Sequence, residues 1–314
     1  HYQKKSYFFQ CLNQLKIIRL MVSNDTKFFL LVNLFFFILI LFFGEKIYSN
    51  ILNQLYIFFI PIIWPGIAHG SLDILTATRK KLIIDSFTKF IFLILYLMIP
   101  LVFFFIWQIY PNYVFTVFLI LSLMHFGISD KLKSKNLMVA NEILLRSFII
   151  ISLPIVLHNE QTLEIFYFLN ISEDYGFFLT EVFQYLVYTI IPLLILYTSN
   201  SLIKKEYGHL IDIITLLFCF FYFEPLLSFL IYFCFLHSVR HLVNEKKLLK
   251  LTNKKLLLNT IPMTLIVLSL LVFLIFIYFY IPNSIKALFI NNVIISLFCL
   301  TISHVLLINF IKDK

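Results

Sequence analysis

Along this chain the apolar residues neither alternate in twos nor mark one stripe of a helix. They run on almost without interruption, as in "FFLLVNLFFFILILFF" (28–43) and "FIFLILYLMIPLVFFFIW" (90–107). A helix needs roughly 20 such residues to cross hydrocarbon. Hydrocarbon offers no water to backbone groups, so runs of this kind must be helical, and their continuity is unlike the alternation of a membrane barrel. The pattern predicts an all-α, polytopic transmembrane bundle of ten helices, at roughly 27–44, 51–69, 87–109, 112–129, 142–158, 178–199, 209–223, 225–243, 256–281 and 285–310. The seventh is short enough to be a re-entrant or tilted piece. No repeat or Pro- and Ser-rich linker divides the chain, so residues 27–314 read as one transmembrane domain, preceded by a cytoplasmic segment, 1–26.

The polar punctuation orients the bundle. The segments after the second, fourth, sixth and eighth helices read "TRKK", "DKLKSK", "SLIKKEYG" and "NEKKLLKLTNKK", and the last helix is followed by "IKDK". Lys4, Lys5, Lys16, Arg19 and Lys27 precede or open the first helix. The alternate loops, "GEKIYSN", "YPN", "HNEQTLEIFYFLNISEDYG", Glu224-Pro225 and "PNSIK", are neutral or acidic. The positive-inside bias then puts both termini in the cytoplasm, and an odd helix count would break the alternation. Nothing in the first twenty residues has the pattern of a secretory signal.

Composition adds little beyond this. The 314 residues are 61% hydrophobic and 18% aromatic, and the net charge of +9 lies in the loops, where membrane orientation accounts for it and nucleic acid is not implied. Of the four cysteines, Cys219, Cys234 and Cys299 lie in apolar runs and Cys11 in the N-terminal segment. No CxxC pair is present, so they read as small core residues. GxGxxG, GxxxxGK[ST] and GxSxG motifs are absent. "GIAHG" satisfies GxxxG and predicts close helix packing at Gly66 and Gly70.

The histidines carry the chemistry. His69, His125, His237, His241 and His304 all fall late in even-numbered helices, which run from outside to inside, so all five lie at a similar depth in the cytoplasmic half of the bilayer. His1, His158 and His209 sit at boundaries and read as ordinary surface residues. Ionisable side chains inside a membrane are costly unless paired or coordinated. In "HSVRH" His237 and His241 are four apart, on one helix face and close enough to share a metal. Single histidines on further helices at that depth complete a site of four imidazoles. Such donors suit iron, copper, nickel or zinc. Of these Fe(II), which prefers six positions and would keep two open, is the catalytic choice. Asp73, a turn beyond His69, and Asp130, five residues beyond His125, either accept ring N–H groups as outer partners or simply cap helices and pair with Arg79, Lys80 or Lys131. The residues leave both readings open. Arg240, inside "HSVRH", is expected to reach the cytoplasmic interface.

In this order and spacing, "GIAHGSLD", "HFGISD", "HSVRH" and the late "SH" of "TISHVLLINF" resemble the Brp/Blh family of membrane β-carotene 15,15′-dioxygenases. The resemblance covers most of the chain after about residue 50. It implies that O2 cleaves the central 15,15′ double bond of β-carotene at an Fe(II) centre held by four histidines, giving two molecules of all-trans-retinal. Carried over by position, His69, His125, His237 and His241 would be the ligands. His304 matches a late motif in which Ser303 replaces an expected proline, and Ser71 replaces a small apolar residue in the first motif. The role of His304 therefore stays open between pocket, outer shell and fifth ligand. Trp64, Phe126, Tyr232, Phe233 and Phe235, close in sequence to the histidines, are the candidate walls of a tunnel for the polyene. The resemblance also implies a functional link to a microbial rhodopsin that takes up the retinal. A bacterial cytoplasmic membrane fits the abundance of Ile, Phe, Lys and Asn.

Two other functions compete. A different membrane non-haem iron oxygenase acting on lipid fits less well, because its di-iron members use about eight histidines in several HxxxH and HxxHH boxes and this chain has one HxxxH. A proton-coupled transporter would need histidines spread across the midplane and broken helices in matching halves.

Overall fold

A computed structural model describes residues 22–49, 51–132 and 138–312. Cys11 and the rest of residues 1–21, the second half of the "DKLKSK" loop and the last two residues lie outside them. Among the described residues every regular element is helical. In chain order these are α1 (Asn24–Tyr48), α2 (Phe59–Arg79), α3 (Ser86–Ile109), α4 (Pro111–Asp130), α5 (Met138–Leu157), α6 (Asn159–Phe168), α7 (Glu173–Ile203), α8 (Tyr207–Tyr222), α9 (Pro225–Leu248), α10 (Asn253–Tyr280) and α11 (Asn283–Asn309). A two-turn helix, Ile51–Ile57, joins α1 to α2. All except α6 and α8 are long and apolar enough to cross a membrane, nine in all among the described residues, and α8 is the expected short tenth segment.

Local chemistry fixes the helix starts. Asp85 accepts from the Thr88 backbone N–H at 2.8 Å while Thr88 returns a bond to the Asp85 N–H, a capping box ahead of α3. Pro111 and Pro225 open α4 and α9, where a missing N–H costs nothing. Two expectations need correction. The second helix does not end at His69 but runs on to Arg79, so His69 and Asp73 lie within it. The stretch after His158, read as a loop, folds into α6, whose Phe166 packs edge-on against Phe115 of α4 with ring centroids 4.9 Å apart. Ten residues with four charged or amide side chains gave no apolar run long enough to announce it.

Three helices are irregular, two of them, α2 and α9, beside the histidines. In α2 the imide of Pro65 has no N–H and pushes the preceding residue out of the helical region, so Trp64 adopts φ −146°, ψ 119°. Beyond this break Ile67–Leu72 winds as a tighter 3-10 segment. In α5 and α9 single wide π turns occupy Phe148–Ser152 and Phe233–His237. A tightened or widened turn rotates every later side chain about the axis, and these turns set where His69 and the HxxxH pair point. The apolar stretches of α5 and α9 are 67% buried against 11% for α3 and α10, which makes α5 and α9 the central helices and leaves α3 and α10 facing lipid.

Polar ties gather at one end of the bundle. Arg240 of α9 bonds Asp25 at the start of α1 (2.7 Å), Asp212 of α8 (2.8 Å) and the carbonyl of Asp130 at the end of α4 (3.0 Å). Arg146 of α5 pairs with Glu142 at 2.9 Å and with Asp212 at 2.7 Å. Thr26 donates to Asp212 at 2.5 Å. Lys80, past the end of α2, donates to the carbonyls of Leu307, Ile308 and Ile311 at 2.8, 3.0 and 2.6 Å, closing the C-terminus of α11. Thus the starts of α1, α5 and α8 and the ends of α2, α4, α9 and α11 share one side, as alternating crossings require. Arg240 is buried in this network and does not reach out to the interface. A guanidinium forks to several acceptors at once, which suits it to neutralise two carboxylates away from water.

Candidate metal centre

The five histidines meet just inside that polar end. His69 comes from α2, His125 from α4, His237 and His241 from α9, and His304 from α11, and every one is buried. The His69 ring centroid lies 4.8 Å from His304, 5.5 Å from His241 and 5.6 Å from His237. His125 lies 5.0 Å from His237 and 5.4 Å from His304. His241 stands 5.2 Å from His304 and 6.4 Å from His237.

Outer partners decide which nitrogen of each ring looks inward. His304 Nδ1 meets both carboxylate oxygens of Asp73, at 3.0 and 2.9 Å. His237 Nδ1 meets Asp130 Oδ1 at 3.2 Å, His125 Nδ1 meets Asn309 Oδ1 at 2.8 Å, and His69 Nδ1 meets the Gly66 carbonyl. Carboxylate and carbonyl oxygens only accept, so Nδ1 donates in each case, and in the neutral ring Nε2 then keeps its lone pair. The consequence is an unfavourable contact. In neutral rings of that tautomer the Nε2 atoms of His125 and His237, 3.3 Å apart, present lone pair to lone pair. His241 Nε2 and His304 Nε2 are likewise buried without a partner.

A cation shared by the two nitrogens would relieve this contact. With a metal–imidazole bond of about 2.1 Å, two ligating nitrogens 3.3 Å apart subtend roughly 100° at the ion, and ring centroids fall roughly 4.6 to 6.5 Å apart between right-angled and opposed placements. All seven centroid separations lie in that interval. Among the described residues no group of three or more His, Cys, Asp or Glu stands in a geometry ready to hold a metal ion, so a shared ion would require the rings to move.

The carboxylates serve different rings from those their sequence neighbourhood implied. Asp73 supports His304 and not His69, which instead uses the carbonyl freed near the α2 break. Asp130 supports His237 and not His125. Each carboxylate also accepts a tyrosine hydroxyl, Asp73 from Tyr96 at 2.5 Å and Asp130 from Tyr232. The aromatic residues divide. Phe126 packs edge-on to His237 at 4.9 Å, Tyr232 lies 5.9 Å from it, and Phe233 lies 5.2 Å from His69. Phe235 turns instead toward Phe28, Phe36 and Phe58, and Trp64 is 48% exposed at the α2 break. The sequence reading did not single out Asn309, Tyr96, the Gly66 carbonyl or Ser238, whose hydroxyl lies 3.3 Å from His69 Nδ1. A polar atom isolated in an apolar run, as Tyr96 and Asn309 each are, was the available signal.

Of the two glycines of the motif, Gly66 is closely packed and Gly70 is not, and a third glycine is tighter than either. A methyl group at Gly66 would meet the Pro61 carbonyl oxygen at 3.1 Å, whereas one at Gly70 would meet nothing within 4 Å. Gly127, two residues past His125, is tighter: a methyl group there would lie 2.5 Å from the Ile143 carbonyl oxygen of α5.

Residues 60–312 match the family described as Beta-carotene 15,15'-dioxygenase. The chain is similar to a protein named Beta-carotene 15,15'-dioxygenase from an uncultured marine bacterium, 66A03, with 30% identity over 260 residues that cover 80% of this chain and 91% of that protein. No solved structure matches it.

Proposed function

Because the chain belongs to the β-carotene 15,15′-dioxygenase family, we propose that it cleaves the central double bond of β-carotene with O2 at an Fe(II) ion held by His69, His125, His237 and His241. The observation that carries this reading is the facing pair of buried Nε2 atoms, 3.3 Å apart, together with two further buried Nε2 atoms that have no hydrogen-bond partner. What iron supplies when bound there is activation of dioxygen toward an electron-rich double bond, which organic side chains do not provide.

The residues of the chain do the rest. The overall reaction adds one oxygen atom to each carbon of the broken bond, so two aldehydes form and no proton is consumed. No free general acid is therefore required, and the site offers none: Asp73 and Asp130 are each engaged by a tyrosine and a histidine. Their task is to hold Nδ1 protons so that Nε2 stays directed inward, which stiffens the ligands and raises their basicity. Phe126 and Phe233 give the centre apolar walls that hold the polyene's middle bond near the rings and keep water away. A hydrocarbon substrate reaches such a site from the bilayer, where it is already concentrated. The basic loops place the histidine end toward the cytoplasm of a bacterial inner membrane, and the retinal formed there is available to a retinal-binding protein such as a microbial rhodopsin.

Expression in bacteria that accumulate β-carotene tests the activity. Cells making the protein should lose their yellow colour and gain retinal, while His125→Ala and His237→Ala cells should stay yellow. Persistent colour with the intact, membrane-inserted chain refutes the substrate, and bleaching by either variant refutes the ligand set.

A further inference from the structure

The fifth histidine has the same construction as a ligand that the proposal already includes. Tyr232, Asp130 and His237 form one arm, in which hydroxyl and ring N–H share a carboxylate and the opposite nitrogen points inward. Tyr96, Asp73 and His304 form a second arm of the same kind, with Asp73 meeting His304 Nδ1 through both oxygens. His304 Nε2 is left buried with no partner. Its ring lies 4.8 Å from His69, 5.2 Å from His241 and 5.4 Å from His125, inside the spacing that one shared ion sets.

Resting on the metal reading above, we propose that His304 is a fifth imidazole ligand of the same ion, positioned by Asp73 and Tyr96. The surroundings hold α11 at the depth this needs. Ser303, next in the chain, donates to the Tyr96 carbonyl at 2.7 Å, which ties α11 to α3 beside the tyrosine of the arm. One turn further on, Lys80 ties the Leu307 and Ile308 carbonyls of α11, and that of Ile311 just past it, to the end of α2, the helix that carries His69 and Asp73. The Ser303 hydroxyl therefore gives the helix a tie that locates His304. Five imidazoles leave a six-position ion one open place instead of two, enough for dioxygen but not for dioxygen and a second small ligand together.

Cobalt(II) provides a readout independent of turnover. In the cobalt-loaded full chain in detergent, each coordinated imidazole with a protonated Nδ1 contributes one strongly shifted, solvent-exchangeable proton resonance. His304→Gln should remove one of these and leave the others. Asp73→Asn, which keeps the ring but weakens its acceptor, should move one resonance. An unchanged set of resonances in both variants overturns the fifth ligand while leaving the four-histidine centre standing. Absence of any shifted resonance in the unaltered protein overturns both. Should His304→Gln fail to fold, the Asp73→Asn spectrum decides alone.

Discussion

Two glycines flank the histidines, and the structure separates them. At Gly127 an added methyl group would sit 2.5 Å from the Ile143 carbonyl oxygen, and ordinary contact begins near 3.4 Å, so in Gly127→Ala α4 and α5 must part by roughly 0.9 Å. Overpacking of this kind costs about 1–3 kcal/mol. The displaced helix carries His125, two residues away, whose Nε2 is 3.3 Å from that of His237. Misplacing a reacting or ligating group by about 1 Å can cost about 100-fold in rate. Gly70→Ala, beside His69, meets nothing within 4 Å and removes the flexibility of a helical glycine, so it should be neutral or stabilising by about 0.5–1 kcal/mol. The assay pairs the thermal unfolding midpoint of each variant in detergent with retinal formed per mole of protein. Gly127→Ala should lower the midpoint by several degrees and retinal formation by about tenfold to 100-fold, and Gly70→Ala should change the yield less than about twofold. Equal effects of the two substitutions, or an unaffected Gly127→Ala, would refute the link drawn here between α4–α5 packing and the position of His125.

Further outcomes follow from the polar end of the bundle. Lys80→Met strips three carbonyls of their donor, which should cost about 1.5–3 kcal/mol and speed amide exchange at the end of α11 above all. Arg240→Met leaves Asp25 and Asp212 short of a buried counter-charge and should cost about 3–5 kcal/mol, with Arg240→Lys intermediate because an ammonium cannot fork; a denaturation series on the three proteins gives the order. The Thr88 backbone and hydroxyl groups hold the Asp85 carboxyl below its ordinary value. A depressed folded value means that this cap contributes at and above the ordinary carboxylate range and is lost as pH falls through the lower folded value, so amide protection at the start of α3 should fall only in that acid range and should be flat with pH in Asp85→Asn.

The depth of the histidines was legible because it needs only helix order and loop charge. The sequence placed His69, His125, His237, His241 and His304 at one level, and the structure gathers them there. Which carboxylate serves which ring was not legible. It depends on the rotation of α2 after the Pro65 break and of α9 after its π turn, neither of which periodicity reveals. The same applies to Phe235, whose nearness to His237 in sequence says nothing once a widened turn directs it toward α1. GxxxG drew the eye to Gly66 and Gly70, yet the closest approach is at Gly127, since glycine spacing along one helix cannot show what its neighbour presents. Arg240 was misplaced at the interface because its partners Asp25 and Asp212 are 215 and 28 residues away.

The central claim is that these imidazoles hold the ion on which carotenoid cleavage depends. Purified protein stripped of metal by a chelator, then titrated with Fe(II) under β-carotene and oxygen, tests it most directly. Retinal formation should vanish on stripping, return with added Fe(II), level off at one ion per chain and fail to return with Zn(II). Full activity in the stripped protein, or restoration by iron in a His125→Ala, His237→Ala double variant, would contradict it.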